Sequence, residues 1–417
     1  MDSMLHRTDL DLPFIRRQYP KNHWDWAFFE NAGGAFVPHC VIQRISSYMT
    51  KTQVQPGSPY PESTDAAERM NLGHKLMAEF VGADIDEITV SASTSFNVYV
   101  LAQALRHLWK KDDEIIVATL NHEANSGPWR RLEEFGLKIV EWPIESDTAE
   151  LNLDTLHELL TEKTQLVAFP HVSNVAGNVN DVAAITKLAH SVGALVCVDG
   201  VAYAPHRALR VKEWDVDFYL FSFYKVFGPH MGCLYGRRDI LLKAKGQYHY
   251  FFEEDDLLHK MNPAGPNHES IASLAGIADY FDTLYTHHFD KDEPSFFARS
   301  QALYAKFAEH EQLLSQKFLD FITSRKDIRL IGRHESDKNS RVPTFSFTSN
   351  TMSSEKIARA VCQDKVAIGF GHFYAKRLVE SLGVKDTKDG LVRCSMAHYN
   401  TIDEVEKLIR SLDRVLS

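Results

Sequence analysis

Cysteine is scarce in this chain: Cys40, Cys197, Cys233, Cys362 and Cys394 are the five among 417 residues. The number is odd, and no two of them form a Cys-x-x-Cys pair. That excludes a disulfide framework and a paired-cysteine metal or redox motif. Long apolar runs are missing as well. Nothing approaches the roughly 18 continuous apolar residues of a membrane span, so none is expected. The first residues, MDSMLHRTDLDLPFIRRQYP, lack the apolar core of a secretory leader. Positive charge is also short: Lys+Arg is 46 against 56 for Asp+Glu, a net charge of −10. The densest basic spots are the pairs Arg16-Arg17, Lys110-Lys111 and Arg237-Arg238, which read as solvated surface. A phosphate-tracking protein carries a basic surplus or stripe, so no nucleic-acid partner is expected. These absences together suit a soluble, cytoplasmic protein.

Common motifs are missing too. There is no Gly-x-x-x-x-Gly-Lys-[Ser/Thr], no Gly-x-Gly-x-x-Gly and no Gly-x-Ser-x-Gly. His-Glu pairs begin at His122, His157, His268, His310 and His334. Four residues on stand Ser126, Thr161, Ala272, Leu314 and Lys338, so none is a zinc helix, and no metal is expected.

What is present is a large apolar inventory, with 44% of residues hydrophobic. That excludes a disordered chain. Seven short apolar runs lie between residues 88 and 235: 88–90, 115–120, 138–144, 165–169, 194–198, 216–221 and 232–235. Helical patterns separate several of them, at 95–110, 151–160 and 181–191. Near-continuous apolar strands alternating with helices predict an α/β fold with a mainly parallel sheet covered on both faces. The last two runs lack a helix between them, so one of them is expected to run antiparallel. After about residue 290 the pattern changes. A long helix is predicted over 294–324, then strands at 328–331, 342–347 and 391–394. In the last helix Thr401 and Glu404 have capping-box spacing, and Ile402, Val405, Leu408, Ile409 and Leu412 form one apolar stripe. This second region reads as a smaller α+β unit.

Three local features carry chemistry. Asp199 ends the apolar run Val196-Cys197-Val198, at the strand edge where open α/β sheets bind ligands. A turn or cap aspartate is the plainer reading. Lys225 lies inside the aromatic run from Phe221 to Phe227. Lysine is seldom buried, and burial lowers its pKa toward that of a usable base or nucleophile. A snorkelling strand-end lysine is the alternative. Ser91 to Ser95 lead into a helix, where hydroxyls and free N–H groups make an anion site. An ordinary N-cap would look the same. Together they meet what pyridoxal phosphate requires: a lysine for a Schiff base, a carboxylate for the pyridine nitrogen, and a helix end for the phosphate.

On these motifs the chain resembles the class V aminotransferase family of fold-type I pyridoxal-phosphate enzymes, in particular its cysteine desulfurase and selenocysteine lyase branch. The similar segments are Phe28-Phe29-Glu30-Asn31-Ala32-Gly33-Gly34, His171-Val172-Ser173-Asn174-Val175-Ala176-Gly177, Val198-Asp199-Gly200 with Pro205-His206, Ser222 to Pro229, and Arg393 to Thr401. The resemblance implies a seven-stranded large domain over 28–290, a small α+β domain over 291–417, and an N-terminal segment, 1–27, packing with the small domain. It implies Lys225 as the Schiff-base lysine and proton shuttle. Asp199 would pair with the ring nitrogen. Thr94, Ser95, Ser222 and Tyr224 would hold the phosphate. Asn174 would lie beside the cofactor and the substrate carboxylate, which Arg393 would clamp with Asn31 and Ala32 nearby. It also implies a homodimer with shared active sites, in which Gly265 and Asn267 reach the partner's phosphate.

Four departures from the family pattern bear on the reaction. Tyr374, in Gly371-His372-Phe373-Tyr374-Ala375, stands where desulfurases carry their sulfur-accepting cysteine. A phenol cannot take a sulfane sulfur, because the acceptor is a thiolate. In Asn121-His122-Glu123-Ala124-Asn125, Glu123 has the place of the ring-stacking histidine, so His122 is the expected cover. Ala202, followed by Tyr203, replaces a glutamine that donates to the cofactor, leaving Tyr203 or Asn174 to compensate. Tyr224 replaces a histidine before the lysine. The expectation is a lyase of the C–S β-elimination type on a small α-amino acid, without a persulfide relay. An aminotransferase or epimerase remains open, as does an inactive cofactor-binding regulatory protein.

Overall fold

A computed structural model describes residues 10–417. The first nine residues lie outside the described residues, and with them part of the 1–27 segment and of the leader reading. All seven apolar runs become strands: β1 (Ile88–Ser91), β2 (Glu114–Ala118), β3 (Lys138–Trp142), β4 (Thr164–Pro170), β5 (Leu195–Asp199), β6 (Phe218–Ser222) and β7 (Gly232–Gly236). They form one sheet in the order β1-β7-β6-β5-β4-β2-β3. β3, β2, β4, β5 and β6 run parallel, while β7 is antiparallel to both β6 and β1. Alternate residues enter different cores. Ile116, Val167, Val196, Val198 and Phe221 pack on one face, and Ile115, Leu166, Cys197, Phe218 and Leu220 on the other. Period-two alternation between two buried faces explains why the runs read as continuously apolar.

Helix α1 (Thr94–Leu105) leaves β1 through Ser93, whose Oγ accepts the Phe96 N–H at 3.1 Å. Gly232 lets β7 approach that helix end closely, because any Cβ there would overlap the Thr94 nitrogen.

The boundary expected between 290 and 291 is not a clean cut. Helix α2 (Phe296–Ile322) belongs to both units. Phe296, Leu303, Tyr304 and Phe307 pack in the large core, and Leu314, Phe318, Leu319 and Ile322 in the small one. The small unit carries an antiparallel sheet of β8 (Ile328–Ile331), β9 (Thr344–Ser349), β10 (Gly369–Gly371) and β11 (Leu391–Ser395), in the order β8-β9-β11-β10. Helix α3 (Ile402–Leu416) closes it, with the Thr401–Glu404 capping box formed. The described part of the N-terminal segment touches both units rather than the small one alone. Phe14 stacks on His287 at 3.6 Å, Arg16 pairs with Glu404 at 3.0 Å, and Ala27–Phe28 pair in parallel with Val366–Ala367. Among the described residues no helix is long and apolar enough to cross a membrane.

Candidate active site

The C-terminal ends of β4, β5 and β6 border a cavity. Thr94, Ser95, His122, Asn174, Asp199, Ser222, Tyr224 and Lys225 all line it. Lys225 follows β6 in a single turn and is only 6% exposed. Burial, with the nearby Arg393 cation, brings its pKa down to about 8 against the pull of Asp199 and Glu30. Asp199 ends β5, and its Oδ1 accepts the Val201 N–H at 2.9 Å. Burial raises its pKa, while the Val201 bond and Lys225 oppose that rise. Thr94 Oγ1 and Ser222 Oγ share a hydrogen bond of 2.7 Å, which ties the start of α1 to the end of β6. Tyr224 lies in the wall with its ring stacked on His230 at 4.7 Å.

His122 caps a short turn. Its Nδ1 accepts the Ala124 N–H at 3.0 Å, which leaves the proton on Nε2. Burial beside Lys225 and Arg393 lowers its pKa to about 3, so the ring is neutral. Glu123 turns away and pairs with Arg377 at 2.7 Å. Of these two neighbours it is therefore His122 that faces the cavity. Tyr203 does not. Its ring stacks on His171 at 3.5 Å, behind the wall that Ala202 forms.

Arg393 stands on β11 next to this wall. Its Nη1 donates to the Asn174 carbonyl at 3.2 Å, and the Phe373 ring covers the guanidinium at 3.9 Å. Asn174 spends its amide N–H on the Phe373 carbonyl at 2.9 Å, and its Oδ1 is buried without a partner. Glu30 lies on the far side, with Oε1 at 3.9 Å from Arg393 Nη2. Sequence reading passed over Glu30 and Phe373. The signal for Glu30 was a carboxylate directly after the apolar pair Phe28-Phe29. Nothing in the sequence marked Phe373.

Asn31 and Ala32 are both hydrogen-bonded within the chain. The Asn31 amide nitrogen donates to the Ser395 carbonyl at 2.8 Å and to Asn400 Oδ1 at 3.2 Å, while its oxygen accepts the Tyr399 hydroxyl. The Ala32 N–H donates to Ser395 Oγ at 2.7 Å. Both are spent on tethering the loop to β11. Gly265 and Asn267 do not line the cavity of their own chain, where Asn267 caps the helix His268–Ser273.

The family model described as Aminotransferase class-V matches residues 27–293 and 296–408. The chain belongs to the class V aminotransferase family. It is 37% identical over 411 residues to the aminotransferase-like protein FGM3 of Gibberella zeae, covering 96% of this chain and 98% of that one. It is 32% identical over 423 residues to the cysteine desulfurase-like protein ustD of Aspergillus flavus, covering 98% and 91%. In structure it is similar to the cysteine desulfurase CsdA of Escherichia coli, with TM-score 0.81, 24% identity and 98% of each chain covered. That likeness shows a fold-type I fold. Membership makes the chain a pyridoxal-phosphate-dependent enzyme.

This class V member fits its cofactor on its own geometry. Asp199 is a buried carboxylate whose one recorded hydrogen bond comes from Val201, and a protonated ring nitrogen would supply the missing counter-charge. The Asn174 Oδ1 orphan, the buried Lys225 and the helix end at Thr94 complete the set. The loop at Tyr374 bears on the reaction. Tyr374 is 72% exposed, and its ring lies 5.4 Å from His122. Phe373 and Tyr374 both have left-handed backbones, with φ of 49° and 59°, which non-glycine residues adopt at a cost. The loop is held there by the Glu123 N–H, which donates to the Tyr374 carbonyl at 2.8 Å, and by the Tyr374 N–H, which donates to His372 Nδ1 at 3.2 Å.

Proposed function

We propose that this enzyme is a lyase acting on a small α-amino acid with a leaving group on its β-carbon, at a C–S or similar bond, and that it passes no sulfur to a protein cysteine. The observation that carries the second half is the tyrosine on the loop: no cysteine lines the cavity, and the Tyr374 ring lies 5.4 Å from His122, which does. The first half rests on likeness to cysteine desulfurase-like relatives, whose chemistry starts at the same kind of substrate.

Arg393 binds the α-carboxylate through a bidentate guanidinium face. That fixes the amino acid with one Cα bond directed at the cavity wall. Lys225 is the base. Its pKa, lowered to about 8, brings the free amine that takes the Cα proton within reach just above neutral pH. Asp199 would hold negative charge against the ring nitrogen. Neutral His122 would cover the site without adding a cation to those of Lys225 and Arg393. Thr94, Ser95 and Ser222 would anchor the phosphate at the end of α1. Pyridoxal phosphate, when bound, supplies the electron sink that makes loss of the Cα proton feasible. The β-leaving group then departs to solvent, since no thiol waits to receive it. We also infer a homodimer in which Gly265 and Asn267 of one copy approach the phosphate of the other. Exposed Phe96 and Tyr99 on α1, beside the cavity, support a covering subunit.

The test is a panel of amino acids with and without β-leaving groups, followed by keto-acid and ammonia release. The expected result is release from substrates with a β-leaving group only. Conversion of the cofactor to its amine form, with no release, identifies an aminotransferase and sinks the lyase reading. A purified protein that shows no visible cofactor absorbance after incubation with pyridoxal phosphate defeats the whole assignment.

A further inference from the structure

Glu30 is the charged group at this site that the chemistry above does not use. Three neighbouring backbone segments bring it to Arg393. Glu30 bridges Ser395 in parallel, and Gly369 on β10 pairs with Arg393 on β11. Gly369 makes the room, because any Cβ there would overlap the Glu30 carboxylate. The result is an ion pair that is close but not closed. Oε1 lies 3.9 Å from Nη2, too far for a hydrogen bond. Glu30 Oε1 and Arg393 Nε are both buried without partners. The titratable groups facing Glu30 are Arg393 and Cys394 from β11 and Lys225 from the turn after β6. β10 contributes none.

A substrate carboxylate on Arg393 would be a second anion on the same guanidinium. Two carboxylates crowded on one cation raise the pKa of one of them, which favours uptake of a proton. An α-carboxyl is the stronger acid of the two, with a reference pKa near 3.5 against about 4.3 for glutamate. Burial already raises the Glu30 pKa, with Arg393 and Lys225 opposing it. Resting on Arg393 as the carboxylate clamp, we propose that Glu30 is a positioning residue that holds Arg393 between turnovers and takes up one proton from solvent as the substrate carboxylate replaces it. The carboxylate of Glu30 becomes a carboxylic acid, and its new O–H donates to the bound substrate. Substrate binding is thereby linked to proton uptake by a residue outside the bond-breaking chemistry.

The test is calorimetric titration of the holoenzyme with methoxyacetate, which has no amine and, like an α-carboxyl, is a stronger acid than a glutamate side chain. Two buffers of different ionisation enthalpy count the protons, from about pH 5 to about pH 8. The cofactor's visible absorbance follows the proton at Lys225 separately. The expected result is that the wild type takes up as much as one proton more per methoxyacetate than Glu30→Gln. Its Kd weakens by up to about tenfold per unit rise in pH, while Glu30→Gln binds more tightly and with little pH dependence. Glu30→Asp, one methylene shorter, restores part of the proton uptake. It also carries the test if Glu30→Gln does not fold, because an uptake of zero there overturns the proposal. Methoxyacetate binding that needs Arg393 but takes up equal protons in wild type and Glu30→Gln overturns this proposal alone. Binding that ignores Arg393→Gln overturns the clamp and this proposal together. Neither outcome depends on whether the enzyme eliminates or transaminates.

Discussion

The two sides of the cavity are built differently. On the sheet side, side chains sit at strand and helix ends with their bonds made in advance. Thr94 is bonded to Ser222, Asp199 to the Val201 N–H, and His122 to the Ala124 N–H. On the side facing the small unit, polar groups are left open: Asn174 Oδ1, Arg393 Nε and Glu30 Oε1 are buried and unpartnered. Each such orphan costs about 1–3 kcal/mol. A fold tolerates three together where a ligand completes them. The first side has its bonds made in advance, and the second leaves polar groups open to a ligand.

Removing the central group of each side tests that division. Lys225→Ala takes away the base and the covalent anchor, so turnover falls by at least about 10³-fold. Borohydride reduction fixes the cofactor to the wild type and not to the variant. The rest of the sheet side stands without the lysine, so the variant still binds pyridoxal phosphate reversibly, as fluorescence quenching would read. A variant that cannot bind it would mean that the sheet side is not preorganised. Arg393→Gln acts on the other side. It loses two charge-assisted hydrogen bonds to the substrate carboxylate, worth about 3–5 kcal/mol together, so kcat/KM falls by roughly 10²–10⁴-fold. The loss falls mainly on KM, and the cofactor stays bound, while the pH at which its absorbance changes moves up because the Arg393 cation no longer opposes the proton at Lys225. Loss of the bound cofactor would show that the two sides are not separable.

The same division decides what was legible in the sequence. Lys225, Asp199 and Ser222 each stand at or within three residues of the end of a strand, and that strand edge is one the apolar run announces. The capping box at Thr401 and the antiparallel last strand of the large sheet were legible for the same local reasons. On the open side Asn174 and Arg393 came with the family resemblance, but Glu30 did not. It lies hundreds of residues from Gly369 and Arg393, and β10 is three residues with two glycines, too short to show any period. The Asn31 amide bonds go to Ser395 and Asn400, partners that only the folded chain supplies. One continuous helix serves two cores, which no local pattern marks.

A smaller effect tests how tightly the sheet side is sealed. His171 is buried behind it, stacked on Tyr203, with Nδ1 bonded to the Tyr219 hydroxyl at 2.9 Å. Burial lowers its pKa to about 3, against 6.5 for a free histidine. The unfolded chain therefore binds the proton first. Stability is full above the unfolded pKa and falls as pH drops through 6.5 toward the folded value. The slope is roughly 1.4 kcal/mol per pH unit from this group. Urea unfolding at a series of pH values from about 7 to about 5 should show His171→Gln losing less stability on acidification than the wild type, although it starts lower. Equal slopes would mean that water reaches His171 and that the wall leaks.

The smallest expected effect is none, at Cys362. A sulfur relay needs a thiolate within reach of the cavity, and the cysteines are placed against that on both sides. Cys197, Cys233 and Cys394 are buried, and burial pushes their pKa values up. Cys40 is raised to about 11, with its thiol donating to the Gly276 carbonyl at 3.2 Å. Cys362 is the one exposed thiol, and it ends the helix Ser354–Cys362. Cys362→Ser should leave kcat/KM within about twofold of wild type, the range of an ordinary surface change. Alkylation of the native enzyme with iodoacetamide should be as harmless. A loss of about tenfold or more, over 1.36 kcal/mol in the barrier, would place the reacting thiol outside both sides of the cavity. The open side would then be completed by a moving protein segment as well as by substrate, and Tyr374 would no longer mark the absence of a relay.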